Sequence, residues 1–406
     1  MTKYIEKICG IVPYTLKKVE IELGGKNLIV TGVNGSGKTS FLRAAYDKTS
    51  LLIAQKKQGK LKRLKQDLSY FEKVLPVQKE VSCDYQLAQD SITSIKKEID
   101  AIEQGLNVVI PNDLEFSNNY DERKAVIRFY EEKRLATIIE AKTAQGLQME
   151  IDENKDIAVT KKVGDKLEQH LLNLKTRRSF AITEDNDKVL ADTIDKWFTN
   201  FEKNLKILFE DNSIQLIFNS KNEKNKFLLQ QKGKEPFTFQ TLSAGYKAIF
   251  DIYADLLMQT EYFKVQPDDL QGTVFIDEIE THLHVSLQRL ILPFFVESFP
   301  NIQFLVTTHS PFVLMSTPDT IVFDLEKEEP CVITEVKSQA EILDEYLGVP
   351  TTMPIWAEER LNNILTKYLK IDTNKISLDT MRDEMKSAGL AIYFPESVTK
   401  ILEEKQ

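Results

Sequence analysis

The sequence predicts an α/β fold with a mixed central sheet, an N-terminal antiparallel strand layer, a short coiled-coil-like helical insertion and a small helical C-terminal module. Three observations predict it. A strand, a glycine-rich turn and a helix follow one another from Asn27 to Ala45. Two near-continuous apolar runs, Gly272–Ile276 and Ile302–Val306, end in polar residues, as buried parallel strands do. Between these regions, leucines and isoleucines recur at heptad spacing within a long charged stretch.

The bulk numbers exclude several classes. With 406 residues the chain has room for two or three lobes. Its 53 Lys and Arg against 62 Asp and Glu leave a net charge of −9, which does not advertise nucleic-acid binding, although a local basic face would. Cys9, Cys83 and Cys331 form no C-x-x-C, so neither a zinc ribbon nor a zinc hook is expected, and a reducing cytoplasm fits best. The N-terminus lacks the apolar core of a signal peptide, and no run of about 18 apolar residues occurs, so no membrane partner is expected.

Residues 1–48 read as the N-terminal lobe of the α/β domain. Tyr4, Ile5, Ile8 and Ile11 begin three short strands; Val19, Ile21 and Leu23 then alternate with Glu20 and Glu22, and Gly24-Gly25 turns the chain into Asn27–Val30. Residues 49–180 read as the helical insertion. Leu61, Leu64, Leu68, Phe71 and Leu75 precede Pro76, and Ile92, Ile95, Ile99 and Ile102 follow it, which predicts an antiparallel helical hairpin too short for a long arm. Gly105 to Asn119 breaks the pattern with a Pro111-Asn112-Asp113 turn, and Asp121–Lys142 and Lys161–Thr176 read as further helices. Lys56, Lys57, Lys60, Lys62, Arg63 and Lys65 are either a solvated face around the seam or a strip that grips a phosphate backbone.

Residues 181–337 return to a globular pattern. A helix carrying Leu190, Ile194, Trp197, Phe198, Phe201 and Leu205 precedes three strands, Ser213–Phe218, Lys226–Gln231 and Pro236–Gln240. Residues 338–406 read as a module with helices near 340–347, 356–370 and 376–388, without His or Cys.

The chemistry sits at the strand ends. Gly32-Val33-Asn34-Gly35-Ser36-Gly37-Lys38-Thr39 matches G-x-x-x-x-G-K-[ST] between a strand and a helix, the context that makes it a phosphate loop. Gly32, Asn34, Gly35, Ser36, Gly37 and Ser40 would present N–H groups and a helix N-terminus to an anion. Lys38 would reach the β- and γ-phosphates and Thr39 would place its hydroxyl on Mg²⁺. Asp277 would hold the metal and Glu278 would polarise the attacking water. His309, just past the second apolar run, would touch the γ-phosphate. His282 and His284 fit either a zinc pair or a helix start on a dimer surface. Ser243 is expected to cap the apolar helix that follows it, leaving N–H groups exposed there.

Together these residues resemble the ABC-type ATPase head of P-loop NTPases. Leu242-Ser243-Ala244-Gly245-Tyr246 resembles its signature motif, Asp277-Glu278 its Walker B pair, Glu280–His284 its D-loop and His309 its switch histidine. About 200 residues separate the phosphate loop from the signature, more than in transporter subunits. With Asp277–His284 and Thr308-His309-Ser310-Pro311, this points to the RecF/OLD-like group of AAA-type ATPases. That group includes ATPases of the Septu, PARIS and retron-associated anti-phage systems, besides repair proteins.

The resemblance implies a homodimer, or a higher homo-oligomer, built through the heads. Two ATP molecules with Mg²⁺ would be sandwiched between one subunit's phosphate loop and the other's Ser243 and Gly245. It places the glutamine near Mg²⁺ at no clear position, Gln145 and Gln148 being candidates. OLD-type nuclease domains are larger and richer in strand-borne acids than 338–406, where Asp372, Asp379, Asp383 and Glu384 are few and helical in context. A docking module for a separate effector, a nuclease or toxin, is the expectation. Three functions follow: a defence ATPase, a DNA-maintenance ATPase gripping duplex, and, least consistent with the long insertion, a transporter motor.

Overall fold

The structure is a computed structural model that describes residues 4–55, 57–74, 89–97, 99, 105–141, 161–219, 226–317, 320–331, 355–369 and 378–390. The chain divides into two compact units, residues 1–339 and 340–406.

The first three strands stand where alternation places them: β1 (Lys7–Ile11), β2 (Lys18–Glu22) and β3 (Asn27–Thr31). After the glycine-rich turn, α1 (Lys38–Ile53) buries Phe41, Leu42 and Ala45. α2 (Lys57–Val74) is the first arm of the hairpin, and residues 89–97 are helical opposite it. Ile92 and Ile99 are buried, and Lys96 pairs with Glu72 across the arms at 3.0 Å. Pro76, Ile102, Gln145 and Gln148 lie outside the described residues. Of the basic cluster only Arg63 and Lys65 have described side chains, and both are exposed.

Two strands fall inside the insertion at 49–180, the first of them in the break at Gly105–Asn119 and the second in a stretch expected to be helical. β4 (Leu106–Val109) pairs antiparallel with β1, completing the sheet β2-β1-β4. α3 (Asp113–Asp121) follows, and then β5 (Ala125–Tyr130) replaces the helix expected across Asp121–Lys142. The charges flanking β5 mimic a helix surface. Arg128 hides the strand too: its side chain is only 9% exposed, Nη2 donates to Lys161 O at 2.7 Å, and Nε lies 3.6 Å from the buried Asp255 carboxylate.

Next come α4 (Leu167–Thr183), α5 (Lys188–Leu208), β6 (Gln215–Asn219) and β7 (Lys226–Gln230). The third strand expected here, Pro236–Gln240, is reduced to one bridge between Leu229 and Phe237. Pro236 has no N–H for a ladder, and Thr238 N–H turns to Thr241 Oγ1 at 3.1 Å, starting a 3-10 turn. α6 (Ala244–Phe263), β8 (Gln271–Ile276), α7 (Val285–Ser298), β9 (Ile302–Thr307), α8 (Pro311–Leu314), β10 (Thr320–Asp324) and β11 (Glu329–Cys331) complete the unit.

The central sheet has the order β11-β10-β3-β9-β8-β5 and is mixed, parallel throughout except for β11. α1 fills one side, packed between this sheet and the antiparallel layer: Phe41 and Leu42 share a core with Ile8, Val19, Leu305 and Phe323. On the other side Phe304 of β9 stacks on Phe295 of α7, and Phe294 meets Tyr253 of α6. The inner strands β3, β9 and β8 are thus covered on both faces, which is why their sequences read as apolar runs. No helix among the described residues is long and apolar enough to cross a membrane.

In the second unit α9 (Ile355–Leu369) and α10 (Leu378–Ser387) share a core of Ala357, Leu365, Tyr368, Met381 and Met385. The helix expected near 340–347 lies outside the described residues.

Candidate nucleotide site at the carboxyl edge of the sheet

β3, β9 and β8 are adjacent and parallel, so their carboxyl ends open on one edge. Ligands of open α/β sheets bind at this edge. The phosphate loop leaves β3, Asp277 and Glu278 leave β8, and Thr308 and His309 leave β9 between them.

In the loop, Gly32, Gly35 and Gly37 have φ of 137°, 79° and 100°, a conformation that strains any side chain. Lys38 is 6% exposed, and its Nζ donates to Gly32 O and Val33 O at 3.0 and 3.1 Å. Burial lowers its pKa, opposed by the carboxylates of Glu278, Glu280 and Asp277. Ser36 is buried, and its Oγ has no hydrogen-bond partner among the described residues. Asn34, Gly35 and Thr39 are exposed and Ser40 is half-buried.

Thr307, the last residue of β9, ties the acids together. Its hydroxyl donates to Asp277 Oδ1 at 2.6 Å and accepts the Glu278 N–H at 2.7 Å. Glu278 has a φ of 43°, rare for a residue with a side chain. Thr281 Oγ1 donates to Glu278 Oε2 at 3.2 Å. His309 is half-buried. Burial and the nearby Lys38 ammonium lower its pKa, against the pull of Asp277, so the imidazole is held toward its neutral form. Lys38, Asp277, Glu278 and His309 thus converge on one edge.

Two residues that position this group, Thr307 and Arg134, escaped sequence reasoning, and Glu280, read there only as the start of the D-loop-like stretch, positions it too. The Glu280 carboxylate accepts from Thr308 Oγ1 at 2.7 Å and from the His309 N–H, fixing the turn that carries the histidine. Burial raises the Glu280 pKa. Arg134 lies beneath the turn. It is 1% exposed, and its guanidinium donates to the carbonyls of Glu131, Asp277, Glu278 and Ile279 at 2.5–3.2 Å. Thr307 sits two residues before His309, a usable signal; Arg134 sits in a charged run with none.

The signature region is placed differently. Ser243 is the N-cap of α6 by position, but its side chain accepts no capping bond, contrary to expectation, and it is exposed. The first turn of α6 therefore keeps its N–H groups available. Thr281–His284 is a turn that leads straight into a helix start: His282 has a φ of 68°, and His284 is the N-cap of α7, its Nδ1 accepting the Ser286 N–H. Gly245 packs on that turn, where an added Cβ would come within 2.8 Å of His282 O. A Gly245→Ala variant is expected to shift the turn. Activity should fall at least tenfold, with unfolding changed by less than about 2 kcal/mol; paired rate and urea-denaturation measurements test this.

Over 176 residues the chain is 27% identical to the Septu protein PtuA of Bacillus mycoides (strain KBAB4), a match covering 41% of this chain and 24% of that protein. Over 89 residues it is 42% identical to the Retron Ec83 probable ATPase of Escherichia coli, covering 21% and 16%. The chain thus spans a quarter or less of the length of these two relatives. Among solved structures, an SmcHead bound to the C-winged helix domain of ScpA aligns over 81% of this chain and 97% of that one, at 15% identity and a TM-score of 0.36. A family model matches residues 28–316, more than half of the sequence, and the chain belongs to that family, described as "AAA domain, putative AbiEii toxin, Type IV TA system".

Proposed function

We propose that the chain is an ABC-type ATPase that dimerises around ATP, hydrolyses it to ADP and phosphate, and serves as the sensor or regulatory subunit of an anti-phage system with a separate nuclease or toxin effector. The observation that carries the ATPase reading is the convergence of Lys38, Asp277, Glu278 and His309 on one sheet edge, with the uncapped start of α6 packed against the turn after Glu278. The relatives named as a Septu protein and a retron ATPase support the defence role.

The residues present fit the nucleotide. The orphaned Ser36 hydroxyl and the exposed loop N–H groups suit phosphate oxygens. Asp277 and Thr39 supply the oxygen donors that Mg²⁺ prefers. The metal would neutralise charge on the phosphates, since phosphoryl transfer needs positioning and charge balance above all. Lys38 holds the β- and γ-phosphates, and Glu278 orients the attacking water and takes its proton. His309, kept neutral, donates to the γ-phosphate. Thr15 lies against Gly37, and the neighbouring Tyr14, fully exposed, offers its ring to the adenine. Ser243 and the α6 N–H groups complete the site from the partner subunit, so ATP acts as an interfacial ligand that favours the dimer.

Mixing two dead variants tests the shared site. Lys38→Ala and Ser243→Arg subunits are each inactive alone. In a 1:1 mixture half the dimers are mixed and one of their two sites is intact, so roughly a quarter of wild-type activity is expected. No recovery, with mixed dimers shown to form, removes the shared-site reading. Copurification with a nuclease or toxin encoded beside it tests the defence role.

A second reading, a DNA-maintenance ATPase, rests on the exposed Arg63 and Lys65 of α2. Its mark is DNA-stimulated hydrolysis that falls steeply with salt.

A further inference from the structure

A cavity of about 770 Å³ opens between α4, α5 and the C-terminal end of α6. That size suits a small organic ligand. It shares no lining residue with the edge that carries Lys38, Asp277 and His309. Arg177, Lys196 and Lys264 line it against a single carboxylate, Glu261, reversing locally the charge of a chain whose net is −9. Glu261 is already engaged, since its Oε1 accepts from Trp197 Nε1 at 2.8 Å.

Behind Glu261 lies His170, a lining residue only 1% exposed. Neither ring nitrogen has a hydrogen-bond partner among the described residues, and Glu261 Oε2 stands 3.6 Å from Nε2, beyond a good bond. Burial lowers the His170 pKa, so the neutral ring has one donor and one acceptor to offer. Leu174, Ile194 and Leu257 supply apolar wall, and Asn200 and Asn204 add amide groups. Apolar walls suit a flat ring, amides and imidazole suit its polar edge, and the cations suit an anionic group.

We infer that this cavity binds a small heteroaromatic anion of the nucleoside-monophosphate type, and that its occupancy acts on the N-terminal end of α6. α6 runs 20 residues, about 30 Å, from Ser243 to the cavity. Midway, the fully buried Asp255 accepts the Tyr130 hydroxyl at 2.7 Å and the Val163 N–H at 2.6 Å. Tyr130 ends β5 and is paired with Ile276 of β8, directly before Asp277. The helix is thus pinned near its centre to the strands of the nucleotide edge, so a shift at one end is returned at the other. Only this coupling rests on the proposed ATPase; binding in the cavity does not.

The sequence has two tryptophans, so Trp356→Phe leaves Trp197 as the sole reporter, and Lys38→Ala weakens the phosphate loop as a rival site. In that background AMP should change the emission saturably. Adenosine and ribose 5-phosphate, each lacking one half of the ligand, should bind at least tenfold more weakly. So should AMP after charge reversal of the exposed Arg177→Glu and Lys196→Glu. No saturable response to AMP, or a response that charge reversal leaves unchanged, overturns the site. With Lys38 restored, AMP should shift ATP turnover at least threefold, and not in the charge-reversed variant; binding without that shift overturns the coupling. If the unaltered chain hydrolyses no ATP, the proposed activity falls while the fluorescence titration still decides the cavity.

Discussion

Glu278→Gln is expected to slow ATP turnover by about 10²–10⁴-fold, the scale of losing a general base, while ATP binding is retained. The substitution keeps the side chain's size and the group that Thr281 Oγ1 donates to. The backbone at φ 43° is held by Thr307 and Arg134, not by the carboxylate, so the local fold should persist. Removing a negative charge near Lys38 also leaves that ammonium with fewer competing anions, so affinity for ATP should hold or rise. Because hydrolysis is what removes the bridging γ-phosphate, the variant should accumulate as an ATP-bound dimer. Phosphate release at saturating ATP, labelled-nucleotide binding and size measurement with ATP and Mg²⁺ test the three parts. Undiminished hydrolysis by this variant sinks the assignment of Glu278.

The elements legible in the sequence are those whose physics is local. The loop at 32–39 is set by glycine conformation and helix-start geometry, which its eight residues contain. The strands ending at Asp277 and His309 announce themselves because burial on both faces needs unbroken apolar runs. β5 is buried just as deeply but carries Arg128, whose charge is balanced by Asp255, a residue 127 positions away. No window around β5 contains that partner, so its charges read as helix surface. Ser243 shows the opposite limit. Its position before a helix was legible, but a local window does not say whether its side chain caps that helix or faces outward, and in the structure it makes no capping bond.

Arg134→Met is expected to damage both stability and turnover, and for one reason. The guanidinium is a planar donor set spread over four carbonyls, three of them from consecutive residues at the end of β8. Those carbonyls point away from the ladder because the chain turns at Glu278, and little water reaches them. Methionine fills the volume but satisfies none of them, a loss of about 3–5 kcal/mol on the scale of breaking a buried charged network. In the fraction that remains folded, nothing fixes the backbone beneath Glu278, so its carboxylate loses its aim while Lys38 and the phosphate loop stay intact. The expected pattern is a kcat reduced at least tenfold with KM for ATP changed little, since misplacing a reacting group by about 1 Å can cost 10²-fold. Arg134→Lys should recover part of the stability but less of the rate, because one ammonium cannot reproduce the fork. Urea denaturation, read beside kcat and KM on the folded protein, separates the two effects. A destabilised variant with wild-type kcat would confine Arg134 to the fold and remove it from the positioning of Glu278.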